Sequence, residues 1–394
     1  MVVPLLLSIL LAILGPAGTS AHDPSAYGGL FRSRDDGASW FPADPGLFLS
    51  GALGVAISPV DANHLLLATD SGLLRSRNGG RNWTREAPTV LLGSIYAVAF
   101  GADGQGALAS TATRIYRTDD GSLWRETSAP SGTAPAYAIV PGLVPGRMYV
   151  AGPGGLWRSD DRGRSWLGAG EGLPEGAVSV LVVTDPEETV YAIAAGGIWM
   201  SVNGARSWHA RHAGLPEGRV EALSSDPMGP DWLWVAAADQ VFASADRGLS
   251  WHAVGQPLPE ANTSVRGIAV AEGGTVIVLT THRGLFRSVD GGRSWGLVEG
   301  NLPVHLEAGP LVRHPANPST LYAGFALMPY SELWGMAIEG GSLLRRVDPL
   351  SLAGGAAFLV LLAIGAIIAV RWLARARNAN ATAPVPSQIT ETLR

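Results

Sequence analysis

Ser33-Arg34-Asp35-Asp36-Gly37-Ala38-Ser39-Trp40 decides the fold, because this octet returns down the chain. Close copies occupy 76–83, 159–166, 244–251 and 288–295, and two looser copies end at Trp124 and Trp208. The closing tryptophans stand at 40, 83, 124, 166, 208, 251 and 295, in steps of 43, 41, 42, 42, 43 and 44 residues. So even a period marks a repeat architecture, in which each supersecondary unit buries its apolar face against the next.

Outward from the octet, every unit reads the same way. An apolar segment comes first, as at 53–57 and 178–183. A proline turn follows (Ser58-Pro59, Asp185-Pro186, Asp226-Pro227, His314-Pro315), where proline presets φ for a tight turn. A second apolar strand is next (65–68, 190–194, 321–324), then a third of the type Gly284-Leu285-Phe286-Arg287-Ser288, then the octet and a short strand after its Trp. Four short strands per period match one blade of a β-propeller. The first octet lacks the two strands that should precede it, and the strand pair near 310–324 lacks an octet after it. Joining those ends completes a seventh blade. The expected fold is therefore all-β, a seven-bladed β-propeller of four-stranded blades over 22–345, with eight blades as the alternative. Residues 332–338 are expected to add a strand there or to lead out toward the membrane.

The octet has a local physical job. Asp35, Asp119, Asp161, Asp246 and Asp290, with Asn78 and Asn203 standing in for Asp, are suited to accept hydrogen bonds from N–H groups of their own turn. The Gly supplies a conformation that side chains resist. Trp40, Trp83, Trp124, Trp166, Trp208, Trp251 and Trp295 each bring a large ring to bury against the blade. The copy ending at Trp124 lacks one residue between Thr118 and Asp119, and the copy ending at Trp208 has Ala205 in place of Gly; both are expected to be distorted.

The motif Ser-x-Asp-x-Gly-x-x-Trp resembles the Asp-box, or BNR repeat, of sialidases, sortilin-type receptors and several glycoside hydrolases. Seven copies at this period, with Gly-Leu-Pro linkers between blades, are most similar to the photosystem II stability/assembly-factor family of seven-bladed propellers, over roughly residues 27–324. The resemblance implies the fold and a structural place for the motif on a peripheral turn, and it carries no activity. The apolar C-terminal segment departs from the soluble assembly factors.

Composition narrows the function. Of 394 residues 47% are hydrophobic and 15% charged, which excludes a disordered chain. There is no Cys, so no disulfide, thiolate metal site or cysteine nucleophile is available. All 28 basic residues are Arg, which excludes Schiff-base chemistry and a phosphate-loop lysine. A net charge of -5 argues against nucleic acid as a partner. The apolar run 5–14, the break at Gly15-Pro16 and the small residues up to Ala21 read as a signal peptide over 1–21. Residues 349–370 are uncharged and long enough to span a bilayer as one transmembrane helix. Arg371, Trp372, Arg375 and Arg377 follow as an interfacial anchor, leaving 371–394 as a cytoplasmic tail and the propeller outside the cytoplasm.

Candidate site residues are few. Arg32, Arg75, Arg158 and Arg287, with Arg117, precede the octet Ser; Arg81, Arg164, Arg206 and Arg293 precede its Trp by two. Such a ring suits an anion or an acidic partner, but recurrence with the repeat favours stacking on Trp or pairing with octet Asp. Glu175, Glu217 and Glu260 each follow Leu-Pro between blades, where paired carboxylates would serve glycoside hydrolysis and where turn chemistry is the simpler reading. No metal-ligand spacing or calcium loop occurs, so neither metal nor cofactor is expected. The sequons Asn82-Trp83-Thr84 and Asn262-Thr263-Ser264 are present. The reading that follows is a membrane-anchored extracytoplasmic scaffold that binds a protein in the envelope. The alternative is an exported glycoside hydrolase of the sialidase-like Asp-box group, with a glycan as ligand.

Overall fold

The computed structural model describes residues 28–338, apart from 105, 175–176, 183–187, 218–219, 227–228 and 304. The expected signal peptide, transmembrane helix and tail lie outside these residues. Among the described residues no helix is long and apolar enough to cross a membrane.

The chain forms seven four-stranded antiparallel sheets. Six are built from consecutive strands, at 52–86, 97–126, 138–168, 177–210, 220–254 and 265–297. The seventh takes Glu307–His314 and Asn317–Ala326 from the end of the ring and Gly29–Ser33 and Phe41–Pro42 from its beginning. Gly29–Ser33 pairs with Asn317–Ala326 over five residue pairs, from Gly29 with Phe325 to Ser33 with Leu321. The ring is thus a seven-bladed β-propeller closed by the N-terminal strands, as the octet count requires. Ring closure leaves no terminal blade face uncovered, while each sheet keeps its two short edge strands.

Each seam between blades is an apolar layer. Leu66 and Leu73 of blade one pack against Val98, Phe100 and Ala107 of blade two, and Trp234 and Val241 of blade five against Ile277, Leu279 and Phe286 of blade six. Phe31 meets Phe325 edge-on inside the closing blade, with ring centroids 5.2 Å apart. Burial of each such side chain contributes about 1.5–3 kcal/mol. First strands of neighbouring blades lie against one another around the centre. In five blades the first strand carries an irregularity near its start, for example between Ala52 and Gly54 and between Val265 and Gly267. An extra residue there bends the strand and sharpens its twist.

Residues 332–338 do not add a strand. They belong to helix α1 (Tyr330–Ile338), which begins after Pro329. Its first N–H donates to Glu307 Oε2 at 2.8 Å, which satisfies an orphan donor and places negative charge at the helix's positive end. Tyr330, Leu333 and Ala337 face inward and pack on Leu53, Tyr96 and Ala326, while Trp334 meets Tyr96 and Tyr137. The helix therefore covers the strand ends of blades seven, one, two and three on one side of the ring. Gly309 makes room for it, since a Cβ there would lie 2.1 Å from Tyr330 Cζ.

Candidate functional site

The octet turns are built alike. In the first, Ser33 Oγ donates to Asp35 Oδ1 at 2.7 Å and accepts the Gly37 N–H at 2.8 Å; Asp35 Oδ1 accepts the Ser39 N–H and Oδ2 the Ser39 hydroxyl. The same set recurs at Asp161, Asp246 and Asp290. Hydrogen bonds from Ser hydroxyls and backbone donors hold the carboxyls of Asp246 and Asp290 down to about 2, and those of Asp161 outweigh burial to the same value. Asn78 and Asn203 accept the turn N–H groups with Oδ1 in the same way.

Two expectations about these turns are corrected. Asp119 is not the turn acceptor of the second blade: Asp120 takes the Ser122 N–H at 2.9 Å and the Ser122 hydroxyl at 2.8 Å, and the Thr118 hydroxyl donates to it. The acceptor must reach back to a hydroxyl two residues earlier, so the missing residue falls after Asp120. Asp119 is instead gripped by Arg117 and Arg164, which lower its pKa. The turn at Ala205 is not distorted. Ala205 adopts φ 62° and keeps its N–H on Ser201 Oγ at 3.0 Å, so the strain falls on one residue and the hydrogen bonds survive.

The tryptophans tie blades together. Trp83, Trp208, Trp251 and Trp295 donate Nε1–H to Ala43, Ala169, Arg211 and Gln256 carbonyls of the preceding blade's outer segment, at 2.7–2.9 Å. Trp124 donates to the Glu86 carboxylate and Trp40 bonds within its own turn, to the Gly37 carbonyl, while Trp166 Nε1 has no acceptor among the described residues.

The arginines before the octet Ser form a second set of ties. Arg32, Arg75 and Arg158 reach forward one blade and donate to Gly79, Gly121 and Gly204 carbonyls, while Arg287 closes the ring onto Asp36 O. All four acceptors occupy the same place in their octets. Stacking on Trp and pairing with the octet acceptor do not account for this recurrence; it is an inter-blade pin. Where the position is Met200, the Tyr191 hydroxyl reaches the equivalent carbonyl, Arg247 O, at 3.1 Å.

The glutamates between blades do not converge. Glu217 is exposed, Glu260 pairs with Arg283, and Glu175 lies outside the described residues. Among the described residues no group of three His, Asp or Glu can hold a metal ion. Sequence reasoning missed the buried polar groups. Glu86 grips Arg75 through both oxygens, at 2.6 and 2.8 Å, with His64 against the same guanidinium. Burial, then the Arg75 charge, pushes His64 down to about 4. Glu188 takes Arg147 and the Tyr149 hydroxyl, and that buried phenol is shifted upward. Their partners lie 11 to 41 residues away, so no local motif announces them.

Two surface features stand apart from the repeat. Phe48 and Leu92, each 68% exposed, border a cavity of about 440 Å³ with Leu91 and Trp83 beside blade one. Trp232, 46% exposed, lies nearly parallel to the buried Trp234.

No model of a known protein family matches the chain, and no curated protein does. Its fold is shared by solved propellers. YCF48 bound to D1 peptide superposes with a TM-score of 0.52 at 18% identity, over 71% of this chain and 94% of that one. YCF48 from Cyanidioschyzon merolae gives 0.52 at 15% identity, over 71% and 97%. The GH74 xyloglucanase from Xanthomonas campestris gives 0.55 at 18% identity over 70% of this chain, which spans only 51% of the xyloglucanase. At these identities the likeness defines the class, a seven-bladed propeller of YCF48-like fold, and no activity.

Proposed function

We propose that the protein is a membrane-anchored extracytoplasmic scaffold that binds a protein partner through its propeller. Its octets are read as Asp-boxes, 1–21 as a signal peptide and 349–370 as the membrane span. The observation that carries the reading is the cavity beside Phe48 and Leu92. Large apolar side chains held in water around a concave apolar surface mark a contact site for another protein. The carboxylates support it as well, because Glu86, Glu188, Glu260 and Glu307 are occupied with arginines. The solved YCF48 with a bound peptide is a precedent for the fold as a peptide holder.

The test is cross-linking and co-purification of the tagged full-length chain from its own membranes. A stoichiometric partner that disappears with Phe48→Ser/Leu92→Ser, at unchanged protein level, is the expected result. A partner retained by the double variant removes this surface from the proposal. The glycoside hydrolase reading is kept alive by the exposed Trp232 face, a shape suited to stacking on a sugar ring, and by the xyloglucanase neighbour. Hydrolysis of a polysaccharide panel by the native chain, abolished on Trp232→Ala, would place it first.

A further inference from the structure

At the seam where blade seven meets blade one, a cavity of about 310 Å³ opens between two octet turns. Arg32, Arg34, Arg81, Asn63, Asn78 and His314 line it, and no carboxylate does. That lining departs from the repeat in a consistent direction. The pins Arg75 and Arg158, and Arg117 at the same place in blade two, each have a carboxylate partner, in Glu86, Asp160 and Asp119, whereas among the described residues Arg32, like Arg287, has none. The residue that follows the octet Ser is Asp160 in blade three and Arg34 here. The turn acceptor is Asn78, neutral where most copies carry Asp, and its Oδ1 is used by the turn so that the amide donor is left over. In blade four the equivalent Asn203 spends that donor on Ser207; in blade one the position is Asn82 and no such bond forms. Arg34 and Arg81 are exposed and their guanidiniums donate to nothing among the described residues.

Single unpaired arginines occur elsewhere, as at Arg287, but here three guanidiniums are gathered around one cavity whose lining holds no carboxylate. Loop and turn positions that break a repeat's own pattern, at a cost in self-repulsion, are where function is expected. We infer that this seam cavity binds a tetrahedral oxyanion, a phosphate or sulfate group, held by Arg34 and Arg81 with Arg32 and the Asn78 amide. Guanidinium forks match such oxygens in pairs. The volume lies at the small end of ligand cavities, enough for the anion and part of what carries it. The site is independent of the Phe48 surface, so either can fail alone.

Titration calorimetry on the full-length chain tests this, with inorganic phosphate and sulfate against chloride at matched ionic strength, and with glycerol 3-phosphate and glucose 6-sulfate as esters. The expected result is saturable binding of one oxyanion per chain, weakened about tenfold or more in Arg34→Gln/Arg81→Gln, since a charged hydrogen bond is worth about 1.5–3 kcal/mol. Arg164→Gln, the octet counterpart of Arg81 in blade three, should leave it unchanged. Esters that bind as well as inorganic anions identify a substituent on a larger molecule as the ligand; esters that fail identify the free anion. Absence of saturation beyond chloride, or equal binding by the double variant, overturns the assignment.

Discussion

Two successive seams use the same parts differently. Between blades one and two, Arg75 pins the next octet turn and is neutralised by Glu86, which also accepts the Trp124 Nε1–H at 2.7 Å. Between blades seven and one, Arg32 pins the next turn and Trp83 Nε1 is satisfied by the main-chain carbonyl of Ala43. Glu86 and Ala43 occupy the same place, three residues after the octet Trp. One substitution therefore separates a closed, charge-balanced seam from an open, positively charged one. Inter-blade bonding does not need the carboxylate; compensation of the arginine does.

The comparison is broken most severely at Glu86. Arg75 and Glu86 are only 6% and 11% exposed, so removing one partner strands the other in the interior. Glu86→Ala should cost about 3–5 kcal/mol in urea unfolding, the range for a broken buried ion pair. Arg75→Met added to Glu86→Ala should recover much of it, because no charge then remains buried. A single-variant loss below about 1 kcal/mol would show the pair to be solvated, as in surface ion pairs.

A second contrast concerns pH. Asp44 follows the Ala43 carbonyl and is buried, which pushes its carboxyl up to about 6 against the Leu30 N–H bond that favours the charged form. Its folded-state proton affinity exceeds that of the unfolded chain, so its contribution is fully present below about 4 and is lost as pH rises through 6. Asp161 works in reverse: held at about 2, it stabilises the fold above about 4 and ceases to as pH falls toward 2. Together these two carboxyls favour the fold most near pH 4, while His64, held at about 4, opposes Asp44 by taking stability away as pH falls from about 6.5 to 4. Asp44→Asn keeps an oxygen for Leu30, should gain roughly 1–2 kcal/mol over the native protein at neutral pH, and that gain should fade as pH falls from about 6 to 4. A gain that is the same at about pH 4 and pH 7 would show that burial of the Asp44 charge is not its source.

Sequence legibility follows the same division between local and distant contacts. The octet, its period and the closure by Gly29–Ser33 were readable because a short-range motif repeats and the strand count must balance. Asp119 was misread because the octet was counted back from Trp124, whereas the acceptor's place is fixed from Thr118. Helix α1 was hidden behind the expectation of more strands, although Tyr330, Leu333 and Ala337 have helical spacing and Pro329 precedes them. The arginine pins recur visibly, but their acceptors lie 46 or 47 residues away, so the pattern announced a role without saying which. Glu86 left one trace, a lone carboxylate at a position where its repeat partners carry none.

The smallest effect is the sharpest discriminator. Arg32→Gln removes one hydrogen bond to Gly79, worth about 0.5–1.5 kcal/mol, and at the same time relieves repulsion from Arg34 and Arg81. The two effects oppose, and only the repulsion is screened by salt. The destabilisation should therefore be slight at low ionic strength and grow toward the full hydrogen-bond value as chloride is added. An arginine with a carboxylate partner behaves oppositely, because screening weakens the attraction that the substitution removes. Unfolding free energies of native protein and Arg32→Gln at about 0.01 and 0.15 M ionic strength, where screening lengths are about 30 and 8 Å, read the sign directly. A loss that shrinks with salt would mean that Arg32 is paired after all, and the two seams would then differ only in where the carboxylate comes from.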